Sequence, residues 1–276
     1  MSEKRRIAVG DISLAVIDEG SGPPVLLLHG FPDSSWTWRH QIAALTAAGF
    51  RVIAPDLRGF GDSDKPEDVA GYRMTNVARD AVGLLDALGL ERAHVVGHDW
   101  GALAAWLIAA LHPTRVERLA VLAVGHPATS RRRTIEDREM TWYYLLFQFA
   151  GVAEGLLARD DWQLFREWTR GDGDTARYVE DLSRPGALTA ALNYYRANTH
   201  PQRELQARPV VPPVAAPTLG IWGSRDYFLS ELQMKASGEQ VRGPWRYERI
   251  EGASHWLQLD EPDRVNELII AFLRAA

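Results

Sequence analysis

Three side chains, far apart along the chain, are of the types that nucleophilic substitution requires. Asp99 sits in Gly97-His98-Asp99-Trp100-Gly101. This Gly-x-nucleophile-x-Gly pattern follows the apolar run Ala93 to Val96 and precedes helical spacing from Ala102 to Leu111. A sharp strand-to-helix turn forces unusual dihedrals on its central residue, needs small neighbours, and pushes the central side chain out at the sheet's carboxyl edge. It also aims the first N–H groups of the helix at whatever binds there. A serine at the centre would need a base to take its proton. A carboxylate, with an ordinary pKa of about 3.9, is already ionised at neutral pH. It can attack an electrophilic sp³ carbon directly and form an ester. The competing reading is an Asp that merely caps the helix.

Asp226 follows the apolar run Thr218 to Gly223, and His255 lies in Gly252-Ala253-Ser254-His255-Trp256, just ahead of a final helical segment. The stretch between them is long enough for one helix and one strand. Both residues fall where strands end at their carboxyl side, which is where α/β sheets place their sites. Read alone, His255 fits an ordinary turn histidine as well as a functional one. In the order Asp99, Asp226, His255 it is the base of a nucleophile–acid–histidine set. Gly125-His126 brings no carboxylate with it, so it does not offer the acid.

The elements that must position these groups can be read from periodicity. Ile7–Val9 and Ile12–Ile17 flank Gly10-Asp11, a hairpin signal. Val25 to Leu28, Arg51 to Ala54, Ala93 to Val96 and Val116 to Val124 read as strands. Trp36 to Ala48, Val77 to Leu88 and Ala102 to Leu111 read as helices. Short apolar strands alternating with helices predict a parallel sheet with right-handed crossovers. The alternation stops near Pro127. Thr134 to Asn198 is helical in pattern and rich in aromatics, and Val210-Val211-Pro212-Pro213 closes the segment. Strand patterns resume at Thr218 to Gly223 and Trp245 to Ile250, followed by a helix from Pro262 to Leu273. The expectation is a sheet domain interrupted by a helical insertion.

The chain has 276 residues, 46% of them hydrophobic and 24% charged, with a formal net charge of −5. That length buries enough surface to fold without a disulfide or metal staple. A mildly acidic balance lacks the basic footprint of a nucleic-acid binder. Arg131-Arg132-Arg133 is too short for a polybasic tract and reads as a solvated patch. The absence of cysteine excludes thiol nucleophiles, Cys-ligated zinc and a disulfide framework. No apolar h-region follows the N-terminal basic residues, and no run approaches the roughly 20 apolar residues of a membrane span. A cytoplasmic location is expected.

Further stretches match a known pattern. His29-Gly30-Phe31-Pro32, with Trp36, Trp38, Arg39 and His40, resembles the His-Gly-x-Pro stretch of the α/β-hydrolase family. Asp56-Leu57-Arg58-Gly59-Phe60-Gly61-Asp62-Ser63 resembles the loop after the family's next strand. Both occur widely in that family. The Asp elbow narrows the resemblance to epoxide hydrolases and dehalogenases, and it extends over nearly the whole chain. It implies an α/β-hydrolase fold: a mostly parallel eight-stranded sheet flanked by helices, with an inserted helical lid. Residues 1–127 and 214–276 would form the core domain and 128–213 the cap.

The epoxide-hydrolase resemblance also implies roles. Two lid tyrosines would hydrogen-bond the epoxide oxygen. Trp142-Tyr143-Tyr144-Leu145-Leu146-Phe147-Gln148 and Leu192-Asn193-Tyr194-Tyr195-Arg196 match the family's segments, and point to Tyr143 and Tyr195. A register slip of one would exchange Tyr143 for Tyr144. The backbone N–H groups of Phe31 and Trp100 would form the oxyanion hole. His29, Pro32, Trp36, Trp100, Trp142, Phe147 and Trp256 would line the substrate site. The lid aromatics Tyr144, Phe149 and Trp168 also suggest an apolar pocket. His98 would pack beside the nucleophile. The implied partner is a small apolar epoxide, with no metal, organic cofactor, nucleic acid or membrane, acted on by a monomer or homodimer.

The alternatives are a haloalkane or haloacid dehalogenase sharing the Asp nucleophile and a non-catalytic ligand-binding protein on the same fold. A halide needs N–H donors rather than phenols. Many haloalkane dehalogenases carry Asn where this chain has Phe31, and a lid Trp (Trp142, Trp162 or Trp168) would have to substitute. Haloacetate dehalogenases place Arg after the nucleophile, where this chain has Trp100.

Overall fold

A computed structural model describes residues 3–131, 134–205 and 210–275. Eight strands form one sheet: β1 (Arg5–Val9), β2 (Ile12–Glu19), β3 (Pro24–Leu28), β4 (Arg51–Pro55), β5 (Ala93–His98), β6 (Val116–Leu122), β7 (Thr218–Gly223) and β8 (Trp245–Ile250). Their order is β1-β2-β4-β3-β5-β6-β7-β8. The hairpin expected at Gly10-Asp11 is present, with β1 antiparallel to β2 and Gly10 at φ +61°. β2 is antiparallel to β4, and every later pairing is parallel.

The strands are apolar on both faces because both faces are covered. Along β3, Leu26 and Leu28 join one buried cluster, while Val25 and Leu27 join the other. α2 (Met74–Ala87) and α3 (Trp100–Leu111) lie in the first layer. α1 (Arg39–Ala47) and the terminal α11 (Pro262–Arg274) cover the second. A buried Leu or Val is worth roughly 1.5–3 kcal/mol, so the central strands β3 and β5 anchor what hangs from their ends. The sequence-predicted helix over 77–88 begins three residues earlier, at Met74. The single helix expected from Trp36 is a short 3₁₀ turn, Ser35–Trp38, running into α1.

Between β6 and β7 come α4 (Ile135–Met140), α5 (Tyr143–Leu146), α6 (Val152–Trp168), α7 (Thr175–Leu182) and α8 (Ala187–Asn198). α6 is broken in its middle, where Asp160, Asp161 and Trp162 take positive φ. Two short helices, α9 (Glu231–Ala236) and α10 (Leu257–Asp260), complete the chain. α9 and β8 fill the stretch between Asp226 and His255. The side chains of the Arg131–Arg133 run lie outside the described residues.

α7 is clasped to the 3₁₀ turn by Trp36. Its indole N–H donates to Asp174 Oδ2 at 3.1 Å, and the guanidinium groups of Arg39 and Arg177 lie over its ring, 5.2 and 5.3 Å from the ring centre. On the other flank Tyr194 Oη donates to the Arg58 carbonyl at 2.9 Å. Arg58 itself is buried against Asp80.

Candidate active site

β5 ends at His98, and Asp99 turns the chain into α3 with φ 51° and ψ −121°. Positive φ at a residue with a Cβ costs on the order of 1–3 kcal/mol and persists only where surroundings enforce it. The close approach of backbones supplies the enforcement. A Cβ at Gly101 would stand 2.1 Å from the Leu28 carbonyl oxygen. One at Gly30 would stand 2.3 Å from Asp99 Oδ1. The glycine at 30 is therefore what lets the 29–32 loop lie against the nucleophile. That contact is a hydrogen bond: the Phe31 N–H donates to Asp99 Oδ1 at 2.7 Å. The Trp100 N–H is the first of α3, where a helix leaves N–H groups without intrahelical acceptors.

The loop after β7 carries Asp226, whose buried carboxylate accepts from the Phe228 and Leu229 N–H groups at 2.8 and 3.2 Å. Its other oxygen lies 2.8 Å from His255 Nδ1. This bond fixes the ring so that His255 Nε2 faces Asp99 Oδ2 at 3.7 Å. The three residues selected from sequence order thus converge on one point above the carboxyl edge of the sheet.

Charge balance at this point is tight. Burial alone would lower the His255 pKa, but Asp226 and then Asp99 pull it up to about 10. Burial pushes the Asp99 carboxyl up, yet the neighbouring His255 and the Phe31 N–H hold it net below the usual carboxylate value. The resting site is a carboxylate–imidazolium–carboxylate row. His98 stays out of it. Burial drives its imidazole down to about 3, and its Nε2 lies 2.9 Å from the His255 carbonyl oxygen. A carbonyl only accepts, so Nε2 carries the proton and His98 steadies the His255 backbone.

Aromatic rings form the roof. Tyr195 meets Phe31, Trp100, Tyr143 and Phe147 with ring centres 4.9–5.9 Å apart. Tyr143 meets Phe147, Trp168 and Phe228 in the same way. Both tyrosines are buried. Burial first, and then the neighbouring phenols and Asp99, push both far above the ordinary value near 10. They are neutral O–H donors at any working pH. Tyr144 is only half-buried, and the Tyr194 hydroxyl is engaged with Arg58.

The other sequence-selected residues divide. Phe147 and Trp100 line the space over Asp99. Pro32 is buried in the same loop as Phe31, and Trp256 packs edge-on against His255 with its N–H on Asp33 Oδ2. Four are not brought to the site. His29 is buried behind the loop, its Nε2 accepting from the Leu57 N–H at 2.9 Å. Trp36 holds α7 from outside, as described above. Trp142, just ahead of α5, is 50% exposed, and Phe149 is 56% exposed. The sequence reading did not select Phe228 or Asp33. Phe228 packs on His255 and Trp168, and its place two residues after the acid was the available signal. Asp33 is a carboxyl that burial pushes up to about 7. Among the described residues no group of three or more His, Cys, Asp or Glu could hold a metal ion. No helix among them is long and apolar enough to cross a membrane.

The fold agrees with the comparisons with known proteins. Residues 23–262 match the model of the α/β-hydrolase fold, and the chain belongs to that family, on its epoxide-hydrolase branch. It is 33% identical to epoxide hydrolase A of Mycobacterium tuberculosis, with 98% of this chain and 97% of that protein covered. It is 35% identical to epoxide hydrolase 3 of Xenopus tropicalis, covering 91% of this chain and 71% of that one. Among solved structures, epoxide hydrolase A of Mycobacterium thermoresistibile superposes with a TM-score of 0.85 at 32% identity over 100% and 99% of the two chains. The Bacillus megaterium enzyme, in complex with an inhibitor, gives 0.90 at 28% identity over 98% and 100%.

Proposed function

We propose that the protein opens a small apolar epoxide to a vicinal diol through a covalent ester on Asp99. The observation that carries this reading is the convergence of an ionised, hydrogen-bonded Asp99 with His255 from below and two neutral phenols from above. Asp99 attacks one ring carbon, the C–O bond breaks, and the epoxide oxygen leaves as an alkoxide held by Tyr143 and Tyr195. Phenolic donors suit this step because they give a hydrogen bond where negative charge develops. No cofactor is required, and residues 128–213 act as the cap that excludes water during the first step.

Esterification also resets His255. The Asp99 charge that helped hold it protonated is gone, so its pKa falls. The one proton it sheds is the one the alkoxide needs, so the site's proton count closes. Neutral His255, oriented by Asp226, then takes a proton from water. That water attacks the ester carbonyl, and the resulting oxyanion meets the N–H groups of Phe31 and Trp100. One such donor is worth about 3–4 kcal/mol of barrier. Collapse releases the diol and restores Asp99 with one oxygen from water.

A single turnover in ¹⁸O-water tests the covalent route. The label is expected in the Asp99 peptide and not in the first diol. Label in the first diol instead means direct water attack on the epoxide and ends this reading.

Halide displacement has one observation in its favour. The indole N–H of Trp168 is buried and has no acceptor among the described residues. Halide release from chlorinated and brominated alkanes, measured beside diol release from styrene oxide, separates the two readings.

A further inference from the structure

The two phenols belong to different helices, α5 and α8, so something must fix the distance between them. Ring packing alone is not directional enough. Two polar side chains, Arg196 on α8 and Gln148 two residues past the end of α5, cross the gap. Arg196, the residue after Tyr195, is 7% exposed. Its Nε donates to the Phe147 carbonyl at the end of α5 at 3.0 Å. Its Nη1 donates to Asn193 Oδ1 at 3.0 Å, and its Nη2 pairs with both Glu154 oxygens at 2.9 Å. Glu154 in turn accepts from the Gly151 N–H at the start of α6, at 2.8 Å. From the other side, Gln148 Nε2 donates to the Tyr144 carbonyl at 2.8 Å and reaches the Tyr195 carbonyl and Thr199 Oγ1 at 3.4 and 3.3 Å.

From this we infer that Arg196 and Gln148 are positioning residues that set the spacing of the Tyr143–Tyr195 clamp. They touch neither substrate nor reacting atoms. Each joins the backbone carrying one phenol to the backbone carrying the other. Only a guanidinium has the planar fork to bond a carbonyl, an amide oxygen and a carboxylate at once. A misplacement of about 1 Å in a group that must meet a developing charge can cost on the order of 10²-fold in rate. The brace acts on ring opening alone, since the ester is hydrolysed by Asp226 and His255 on the sheet's loops. The inference rests on the proposed role of the two phenols.

Transient kinetics that resolve the half-reactions give the test. Stopped-flow tryptophan fluorescence and quenched-flow trapping would follow formation and decay of the ester on styrene oxide. Arg196→Met is expected to slow ester formation roughly 10- to 100-fold while decay changes less than about two-fold. Arg196→Lys should recover part of the loss. If Arg196→Met does not fold, Gln148→Leu carries the test, with the same selective slowing and a smaller size. Equal slowing of both half-reactions, or no slowing of either, overturns the brace. The Tyr143→Phe/Tyr195→Phe double variant separates the two levels of the argument. If that variant forms ester at the wild-type rate, the phenols have no role and the inference falls with them. If it is slow while Arg196→Met and Gln148→Leu are not, only the brace falls.

Discussion

The sheet side and the cap side of the site are built from different materials. Below, Asp99, Asp226 and His255 are held by backbone N–H groups, a strained turn and short hydrogen bonds. Above, Tyr143 and Tyr195 are held mainly by ring edges, with polar ties to the backbone behind them. The difference follows from what each side must do. Attack on carbon needs a carboxylate lone pair with a fixed direction, and only oriented donors supply that. A phenol O–H rotates to find its acceptor, so the cap side needs only an aromatic socket around each ring and a brace on the backbone behind it. Rings of this kind also keep the substrate space dry and apolar.

Substitutions on the two sides should therefore fail differently. The largest effect is expected for Asp99→Ala, which removes the nucleophile. Diol formation should fall by roughly 10⁴-fold or more, measured as kcat/KM on styrene oxide, and a variant that keeps a tenth of the activity would refute the covalent step. His255→Gln should also abolish turnover, but with a signature of its own. The ester forms and persists, so intact-protein mass spectrometry should show a protein–substrate adduct. On the cap side, Tyr143→Phe/Tyr195→Phe should reduce epoxide opening by roughly 10²- to 10⁴-fold and accumulate no adduct. Any halide displacement should survive this double variant. An adduct that builds up in it would mean the phenols serve the second step, against the division drawn here.

A smaller effect separates the sides by pH. The folded chain holds the His255 proton to about pH 10, while unfolded histidine releases it near 6.5. The stabilisation is complete below about 6.5 and is lost as pH rises toward 10, because the unfolded state binds fewer protons there. His98 and His29, driven by burial to about 3 and 4, act in the opposite sense. Their contribution is present above about 6.5 and is lost as pH falls. Calorimetric Tm values across pH 6.5–10 should decline in the wild type and flatten in His255→Gln. A parallel decline in both would show that another group titrates. Smallest of all, Trp36→Phe removes one N–H to Asp174 at the outer clasp. It should cost about 1 kcal/mol of stability, read as a shift in the urea midpoint, with kcat on styrene oxide within about two-fold. A large loss of activity would return Trp36 to the substrate wall.

The same contrast governs what could be read from the sequence. Asp99, Asp226 and His255 sit at strand ends, where short apolar runs and flanking glycines mark the position, and their order along the chain is informative. The cap offered no such frame. Trp142 and Tyr143 are adjacent, so about 100° of helix rotation separates them. Periodicity within a four-residue helix does not say which one faces inward. Trp36 and His29 have residue types suited to a binding wall, but their roles depend on distant partners. Trp36 meets Asp174 and Arg177 of the cap, and His29 meets the Leu57 backbone. Local sequence carries neither contact. Asp33 was invisible for a related reason: a carboxyl has no sequence mark for being enclosed. The strand limits of β7 and β8 were legible to the residue because both runs are bounded by Gly, Pro or a charge.

The adjacent tyrosines of α8 have one last consequence. Tyr194 is bonded to the Arg58 backbone and Tyr195 is turned toward Asp99, so two neighbouring letters of the same kind are not interchangeable. Inserting or deleting a single codon before them would rotate the helix and swap anchor for donor while leaving composition untouched. Over evolutionary time, changes in cap length should therefore accumulate outside Asn193 to Asn198. An alignment of relatives should be free of gaps through that short window even where the cap around it varies.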